Sequence, residues 1–451
     1  MMENYSSNIR SGINFLGILN DLKRRPEDAA EELQVSLEEI TSIIKGEKEL
    51  PFDIIKRATE IWSINIGDFF LIKDDCPDGI KIMRVGDSEK SSRTMDRAGF
   101  PYYEYRDTAM SSVSLFRPEW IEELCIVDDN KPDNPKVQWN NGHFMHQFTY
   151  FIGEVNYYYQ DSDGTKRVAV MNTGDSVYGT PFRPHSFATR KGASKNGLIL
   201  ALTYGNTLLT SQQELSALGA ELGLNFYLDF SSKENAFSSL LKFHRDNASL
   251  SLDEVSKRSG ISKEILENLE TNISELPDDD MIKKIAESLN VNLRDLYPPD
   301  VIEEKVIVRT HKDAPSWLYP ESGAYKIIEL VKSRHLPFSK ALEFTIQKTD
   351  DEENLDLKMG LHQYIYNVGE STVDFRWQIN NNMHHEKLNP GDSMYVKPFV
   401  NHNFRGNGKL MVLRIAGRVA GDGQRELSIL EKADAHRAIL ETSMWFDPSG
   451  K

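Results

Sequence analysis

From about residue 12 to residue 72, apolar positions recur at steps of three and four, the period of helices with one buried face. Gly12 to Lys23 reads as a first helix. Pro26 opens a second, Glu27 to Leu33, because proline suits a first turn whose N–H groups have no helical partner. Ser36 is placed to cap a third helix, Leu37 to Ile44, which closes near Gly46, and Ile54 to Trp62 forms a fourth. After residue 78 the period changes. Short runs broken by Gly, Pro, Asn and Asp predict strands at Ser111–Phe116, Phe148–Ile152, Val155–Tyr159, Val168–Met171 and Leu198–Thr203. Many short strands of this kind favour a sandwich or barrel.

The helical pattern then starts again, at Ala236–Phe243, Leu252–Ser259 and Lys263–Thr271, and Ile282–Tyr297 parallels Ile55–Phe70. A second strand-rich stretch runs from about 305 to 420, and the tail from about Arg425 reads as helical. His146-Gln147-Phe148-Thr149-Tyr150 has its echo in His362-Gln363-Tyr364-Ile365-Tyr366. Gly174-Asp175-Ser176-Val177-Tyr178 has its echo in Gly391-Asp392-Ser393-Met394-Tyr395, and His185 aligns with His402. Anchors that agree to within one residue predict a duplication. The expected divisions are 1–77, 78–230, 231–304 and 305–451, an α+β chain in which a helix-turn-helix-like module and a β-barrel each occur twice.

Composition narrows the function. A chain of 451 residues holds several domains, and a net charge of −16 argues against a surface devoted to polyanions. The helices after both turns are acidic, with Glu38 and Glu39 in one and Glu264 and Glu267 in the other, where a reader of base edges carries Arg, Lys, Asn or Gln. A structural or oligomerising role therefore ranks above binding nucleic acid. Lys23-Arg24-Arg25 is the first module's basic knot, either a solvated helix end or a contact to a small anion. No apolar run reaches the roughly eighteen residues of a membrane span. The first residues lack a signal-peptide profile, and Cys76 and Cys125 form no zinc or redox motif. A cytoplasmic protein is expected.

The chemistry gathers around Asn140–Gln147 and Gly174–His185. Gly-His-x-x-x-Gln before an apolar strand, then a glycine turn and a second histidine, has the outline of the two cupin motifs that hold a metal in a small barrel. His143 and His185 are the expected ligands. Gln147 stands where a carboxylate is usual; it is either the third ligand or a strand amide bonded to its neighbour. In the second half the residue matching His143 is Met359, a poor partner for a hard divalent ion. That barrel is expected to be a degenerate, structural copy. His146 persists there as His362, which points to a structural role.

With the tandem architecture, His143, Gln147 and His185 resemble the family of 2-hydroxyethylphosphonate dioxygenase, methylphosphonate synthase and hydroxypropylphosphonate epoxidase. In the dioxygenase branch the third ligand is a glutamate six residues before the second histidine, a position held here by Gly179. The synthase branch uses a glutamine four residues after the first histidine, as Gln147 is. The resemblance implies one Fe(II) per chain, with no 2-oxoglutarate and no external reductant. It implies O₂-dependent cleavage of 2-hydroxyethylphosphonate to methylphosphonate and bicarbonate. It also carries a substrate-binding role onto Lys23, Arg97, Tyr105 and Asn140, and a catalytic one onto Lys23 and Tyr105. A homo-oligomer is expected. The alternatives are the dioxygenase reaction, giving hydroxymethylphosphonate and formate, and a DNA-binding regulator whose cupin senses a ligand.

Overall fold

The computed structural model describes residues 7–205, 207–271, 274–300, 305–347 and 355–440. Its first part is helical: Ser7–Asp21, Pro26–Glu32, Leu37–Ile44 and Phe52–Trp62, followed by a 3₁₀ turn, Ile66–Phe69. Ser36 caps the third helix by accepting the Glu39 N–H at 3.1 Å. The four helices close over Phe15, Leu19, Ile40, Ile43 and Trp62. A similar set follows later, Lys233–Asn247, Leu252–Ser259, Lys263–Thr271 and Asp279–Leu289, with its own core. The last helix of each set ends on a left-handed residue, Ser63 at φ 52° and Asn290 at φ 58°.

The basic knot is used locally. Arg24 donates to Glu32 at 2.6 Å and lies over the Trp62 ring, Arg25 pairs with Asp28, and the Lys23 amine donates to the Asp21 carbonyl at 2.9 Å.

Most of the rest of the described residues form four antiparallel sheets, with a parallel pairing between Ile126–Val127 and His185–Arg190. Two seven-stranded sheets pack on each other through Phe148, Tyr150 and Leu200 of one and Tyr364, Tyr366 and Leu413 of the other. A four-stranded sheet covers the outer face of the first through Phe151, Tyr157 and Phe187. A three-stranded sheet covers the second through Ile365, Phe375 and Phe404. The central strand His146–Ile152 is therefore packed on both faces, which is why it is apolar from Phe148 on except for the buried Thr149.

Two strands cross the divisions expected from the sequence. Ile80–Met83 pairs with Ser393–Val396, and Val306–Arg309 pairs with Ser176–Gly179. Each large sheet takes its edge strand from the other half of the chain. The crossing segments are fastened alike: Asp392 accepts the Val85 N–H at 2.9 Å, and Asp175 accepts the His311 N–H at 2.7 Å.

One expectation fails locally, and two helices were not foreseen. Ser111–Phe116 is a turn, not a strand, because Ser111 and Ser112 hydroxyls bond to Asp75 and the Lys73 carbonyl. Within 78–230, helices at Val85–Lys90 and Thr207–Gly223 went unread.

His362 and His402 are buried and His146 is half-buried, none with a carboxylate to charge it. His146 bonds Tyr178 and His362 bonds Tyr395, each at 2.6 Å, and His402 donates to the Val400 carbonyl at 2.8 Å. Burial lowers the pKa of all three from 6.5 to about 4. The fold keeps them neutral while the unfolded chain takes up protons near 6.5. Stability is thus complete above that value and is lost as pH falls toward about 4, by about 1.4 kcal/mol per pH unit for each histidine in the window. Denaturant unfolding of the metal-free protein between pH 7 and 4 checks this; a flat stability across the window contradicts it.

Candidate metal and anion site

A loop, residues 140–145, delivers His143 to the mouth of the first sheet pair, where the strand His146–Ile152 begins. Gly142 is required there. Its φ is +74°, and a Cβ on it would lie 2.5 Å from the Phe182 carbonyl carbon. That close approach lets the Phe182 N–H reach the His143 carbonyl at 2.8 Å, tying together the two loops that bear the histidines. The rings of His143 and His185 stand 5.2 Å apart, nearly perpendicular.

Each ring has one nitrogen committed. His143 Nδ1 donates to the Met145 carbonyl and His185 Nδ1 to the Arg183 carbonyl, both at 2.8 Å. Both Nε2 atoms are therefore lone-pair donors, the tautomer that backbone carbonyls impose on metal-binding histidines. Burial lowers the pKa of His185 to about 4, so that lone pair is available at neutral pH. Gln147 donates through Nε2 to Thr149 Oγ1 at 2.9 Å, which turns its Oε1 toward His143 Nε2, 2.6 Å away. Two lone-pair atoms held this close need a positive charge between or beside them. Imidazole nitrogen and amide oxygen suit a divalent first-row cation. Among the described residues no group of three His, Cys, Asp or Glu side chains is placed to hold a metal, so a three-point protein site here needs a donor such as an amide.

The sheet register explains why position 179 matters. Gln147 lies directly opposite Gly179 on the neighbouring strand, and opposite Thr203 on the other side. Paired residues point to the same face, so a side chain at 179 would reach the same spot as Gln147. A Cβ there would meet only the Tyr157 hydroxyl, at 3.8 Å. Space is available for a carboxylate, and the chain supplies none.

Beside the donors is a cavity of about 220 Å³, lined by His143, Gln147 and His185 together with Arg97, Tyr105 and Asn140. Arg97 and Tyr105 lie on one hairpin, Arg93–Arg97 and Phe100–Asp107, turned through Ala98 and Gly99, both with positive φ. Arg97 is no surface arginine. It donates to the Gln138 carbonyl at 2.8 Å, and its guanidinium rests 4.7 Å from the centre of the Tyr103 ring. Burial pushes the Tyr105 hydroxyl up to about 12, which keeps it a hydrogen-bond donor. Asn140 accepts the N–H groups of Gly142 and His185 on Oδ1 and points Nδ2 at His185 Nε2, 3.0 Å away.

Lys23 does not line this cavity. Sequence reasoning missed Arg117 and Glu119, which do. Arg117 is exposed, and Glu119 is held by Arg93 at 3.1 Å. Nothing local in the sequence signals them; the pairing of Glu119 with Asp107 across strands brings them in.

Three comparisons bear on this geometry. Residues 239–297 match a family model described as a helix-turn-helix domain. The chain is 57% identical over 443 residues to methylphosphonate synthase of Nitrosopumilus maritimus (strain SCM1), covering 98% of this chain and 96% of that protein. Among solved structures it is similar to Streptomyces albus 2-hydroxyethylphosphonate dioxygenase with 2-hydroxyethylphosphonate and Fe(II) bound. That likeness has a TM-score of 0.89 at 34% identity and covers 97% of this chain and 99% of the other. PhpD with cadmium and hydroethylphosphonate shares the fold, with a TM-score of 0.73 at 17% identity over 95% of this chain and 99% of the other. No described helix is long and apolar enough to cross a membrane. The chain belongs to the methylphosphonate synthase family, within the wider group that includes 2-hydroxyethylphosphonate dioxygenase.

Proposed function

We propose that the chain uses Fe(II) and O₂ to cleave the C1–C2 bond of 2-hydroxyethylphosphonate, releasing methylphosphonate and bicarbonate. The observation that carries this reading is the Gln147 amide in the donor set with Gly179, not glutamate, across the strand pair. His143, Gln147 and His185 are the metal ligands in this reading. Those residues would hold Fe(II), which would supply O₂ activation, while the substrate would supply all four electrons.

The other residues act on the anion. Three neutral donors leave the ion's two positive charges uncompensated, which favours a chelating anion. Arg97 offers a guanidinium and Tyr105 a hydroxyl to the phosphonate. Asn140 now donates to the lone pair of His185; once a metal takes that lone pair, its N–H is released to the substrate. Lys23 is bonded within its own helical module, so a role over the substrate requires that module to move or a second copy of the chain to supply the lysine, in keeping with a homo-oligomer.

The same reading takes the architecture as a helical module and a cupin barrel, duplicated, with edge strands exchanged between the copies. The recurring left-handed helix ends and the paired Asp175 and Asp392 fastenings support it. The helix-turn-helix match favours a regulator as the second reading; the acidic Glu264 on the helix after the turn counts against it.

Phosphorus NMR of an anaerobically loaded sample mixed with O₂ and 2-hydroxyethylphosphonate should show methylphosphonate. Hydroxymethylphosphonate as the sole product assigns the dioxygenase reaction instead. Gln147→Ala should weaken metal binding by about 10- to 100-fold, and adding Gly179→Glu should recover it, since the two positions are cross-strand neighbours; Co(II) titration reads both. Arg117→Gln should raise KM several-fold at low salt with kcat retained, and flatten the dependence of kcat/KM on ionic strength. A salt profile identical to that of the unmodified chain would remove Arg117 from substrate capture.

A further inference from the structure

The second sheet pair repeats the backbone of the site while changing one charge. The Phe399 N–H donates to the Met359 carbonyl at 2.8 Å, as the Phe182 N–H does to His143. His402 donates through Nδ1 to the Val400 carbonyl at 2.8 Å, as His185 does to Arg183. Phe404 stands 5.7 Å from the His402 ring, and Phe187 5.6 Å from that of His185. Gln363 is paired with Val396 on one side and Arg414 on the other, the places that Gly179 and Thr203 hold beside Gln147. Met359, Gln363, His402 and Arg414 are thus the counterparts of His143, Gln147, His185 and Thr203.

Where the first half turns Gln147 Oε1 toward a histidine lone pair, the second turns Gln363 Oε1 toward a cation. Arg414 Nε donates to it at 3.2 Å, and the guanidinium lies 5.5 Å from the centre of the Phe344 ring. Gln363 Nε2 in turn faces His402 Nε2 at 3.4 Å. Burial lowers the pKa of Arg414 to about 10, which leaves it charged at neutral pH.

We propose that the second half contains a latent site for a divalent first-row metal, closed by Arg414, whose guanidinium supplies the positive charge that the ion supplies between His143, Gln147 and His185. This rests on the ligand assignment made above for the first half. An imidazole lone pair and an amide oxygen remain in place in the second half. The third donor, at Met359, the turn of the Gln363 amide and the room taken by the guanidinium separate it from a working site. A metal ion is excluded there by repulsion at close range as well as by a missing ligand.

The test is the metal stoichiometry of the full chain, by anaerobic Co(II) titration followed by elemental analysis after gel filtration. The unmodified chain should bind one ion, lost in His143→Ala. Met359→His alone should remain at one, because Arg414 still fills the site. Met359→His with Arg414→Thr should bind two, and should retain one when His143→Ala is added. If the double variant stays at one while turning over substrate normally, the inference is overturned. If Met359→His alone binds two, the part given to Arg414 is wrong. Should the double variant fail to fold, Met359→His with Arg414→Gln keeps side-chain length without the charge and carries the same expectation of two ions. An unmodified chain that binds no ion refutes the ligand assignment in the first half and is distinguished from failure of this inference by that measurement.

Discussion

The site depends on the register of one strand. His146–Ile152 is hydrogen bonded on one side to Ser176–Gly179 and on the other to Gly197–Tyr204. Gln147, Thr149 and Phe151 face the inside of the first sheet pair, and His146, Phe148 and Tyr150 face the second large sheet. A slip of one residue would send Gln147 into that sheet contact and bring Phe148 to the cavity. Both faces resist it. Phe151 packs against Phe187 at 6.0 Å between ring centres. Tyr150 donates at 2.7 Å to Glu343, a fully buried carboxylate that also receives His311 at 3.0 Å and Lys409 at 3.1 Å. A buried carboxylate is tolerable only with such a set of partners, and losing one leaves an uncompensated charge. The face of the site strand turned toward the second large sheet is thereby fixed by groups from the other half of the chain.

The exchanged strands make this dependence stronger. The strand carrying Gly179 has the site strand on one side and Val306–Arg309 on the other, so the wall behind the donors is finished by a segment from beyond residue 305. An unpaired edge there would expose backbone groups beside the cavity. The reciprocal pairing of Ile80–Met83 with Ser393–Val396 means that neither sheet pair can be removed without opening the other. The second half is thereby needed to complete the first, whatever else it does.

The sequence made the helices and the repeat legible because both are local signals. Ser36, Gly46 and Pro26 sit where helix ends demand them, and the Gly-Asp-Ser echo is visible without any structure. The strand exchange was invisible, since Ile80–Met83 and Val306–Arg309 find partners across most of the chain and carry no mark of which edge they join. The Arg97 hairpin was hidden for a smaller reason: its turn is Ala98-Gly99, without the Asn or Asp that usually announces positive φ. Ser111–Phe116 misled because an alternating pattern says nothing about hydroxyls that prefer local backbone. At the candidate site, His143, Gln147 and His185 were singled out from spacing, and the structure brings them together. Arg97, Tyr105 and Asn140 came from the family resemblance, and the cavity gathers them. Arg117 had neither signal, and Lys23 had only the resemblance.

Charge decides what the two halves are able to do. The chain carries −16 overall, yet the cavity presents Arg97 within and Arg117 at its edge, and its one carboxylate, Glu119, is engaged by Arg93. An anion entering a net acidic protein needs such a local reversal. Both halves carry an imidazole and a glutamine amide, and in both the amide oxygen is turned toward a place for positive charge. The kind of cation separates them. A guanidinium is a single charge whose hydrogen-bonding edge is directed at fixed partners, so the second half is complete as it stands. A dication held by three neutral donors keeps open positions and unspent charge, and an anionic chelator answers both. In the proposed reading, the changes from His143 to Met359 and from Thr203 to Arg414 together exchange a centre open to an anionic ligand for one closed by a guanidinium.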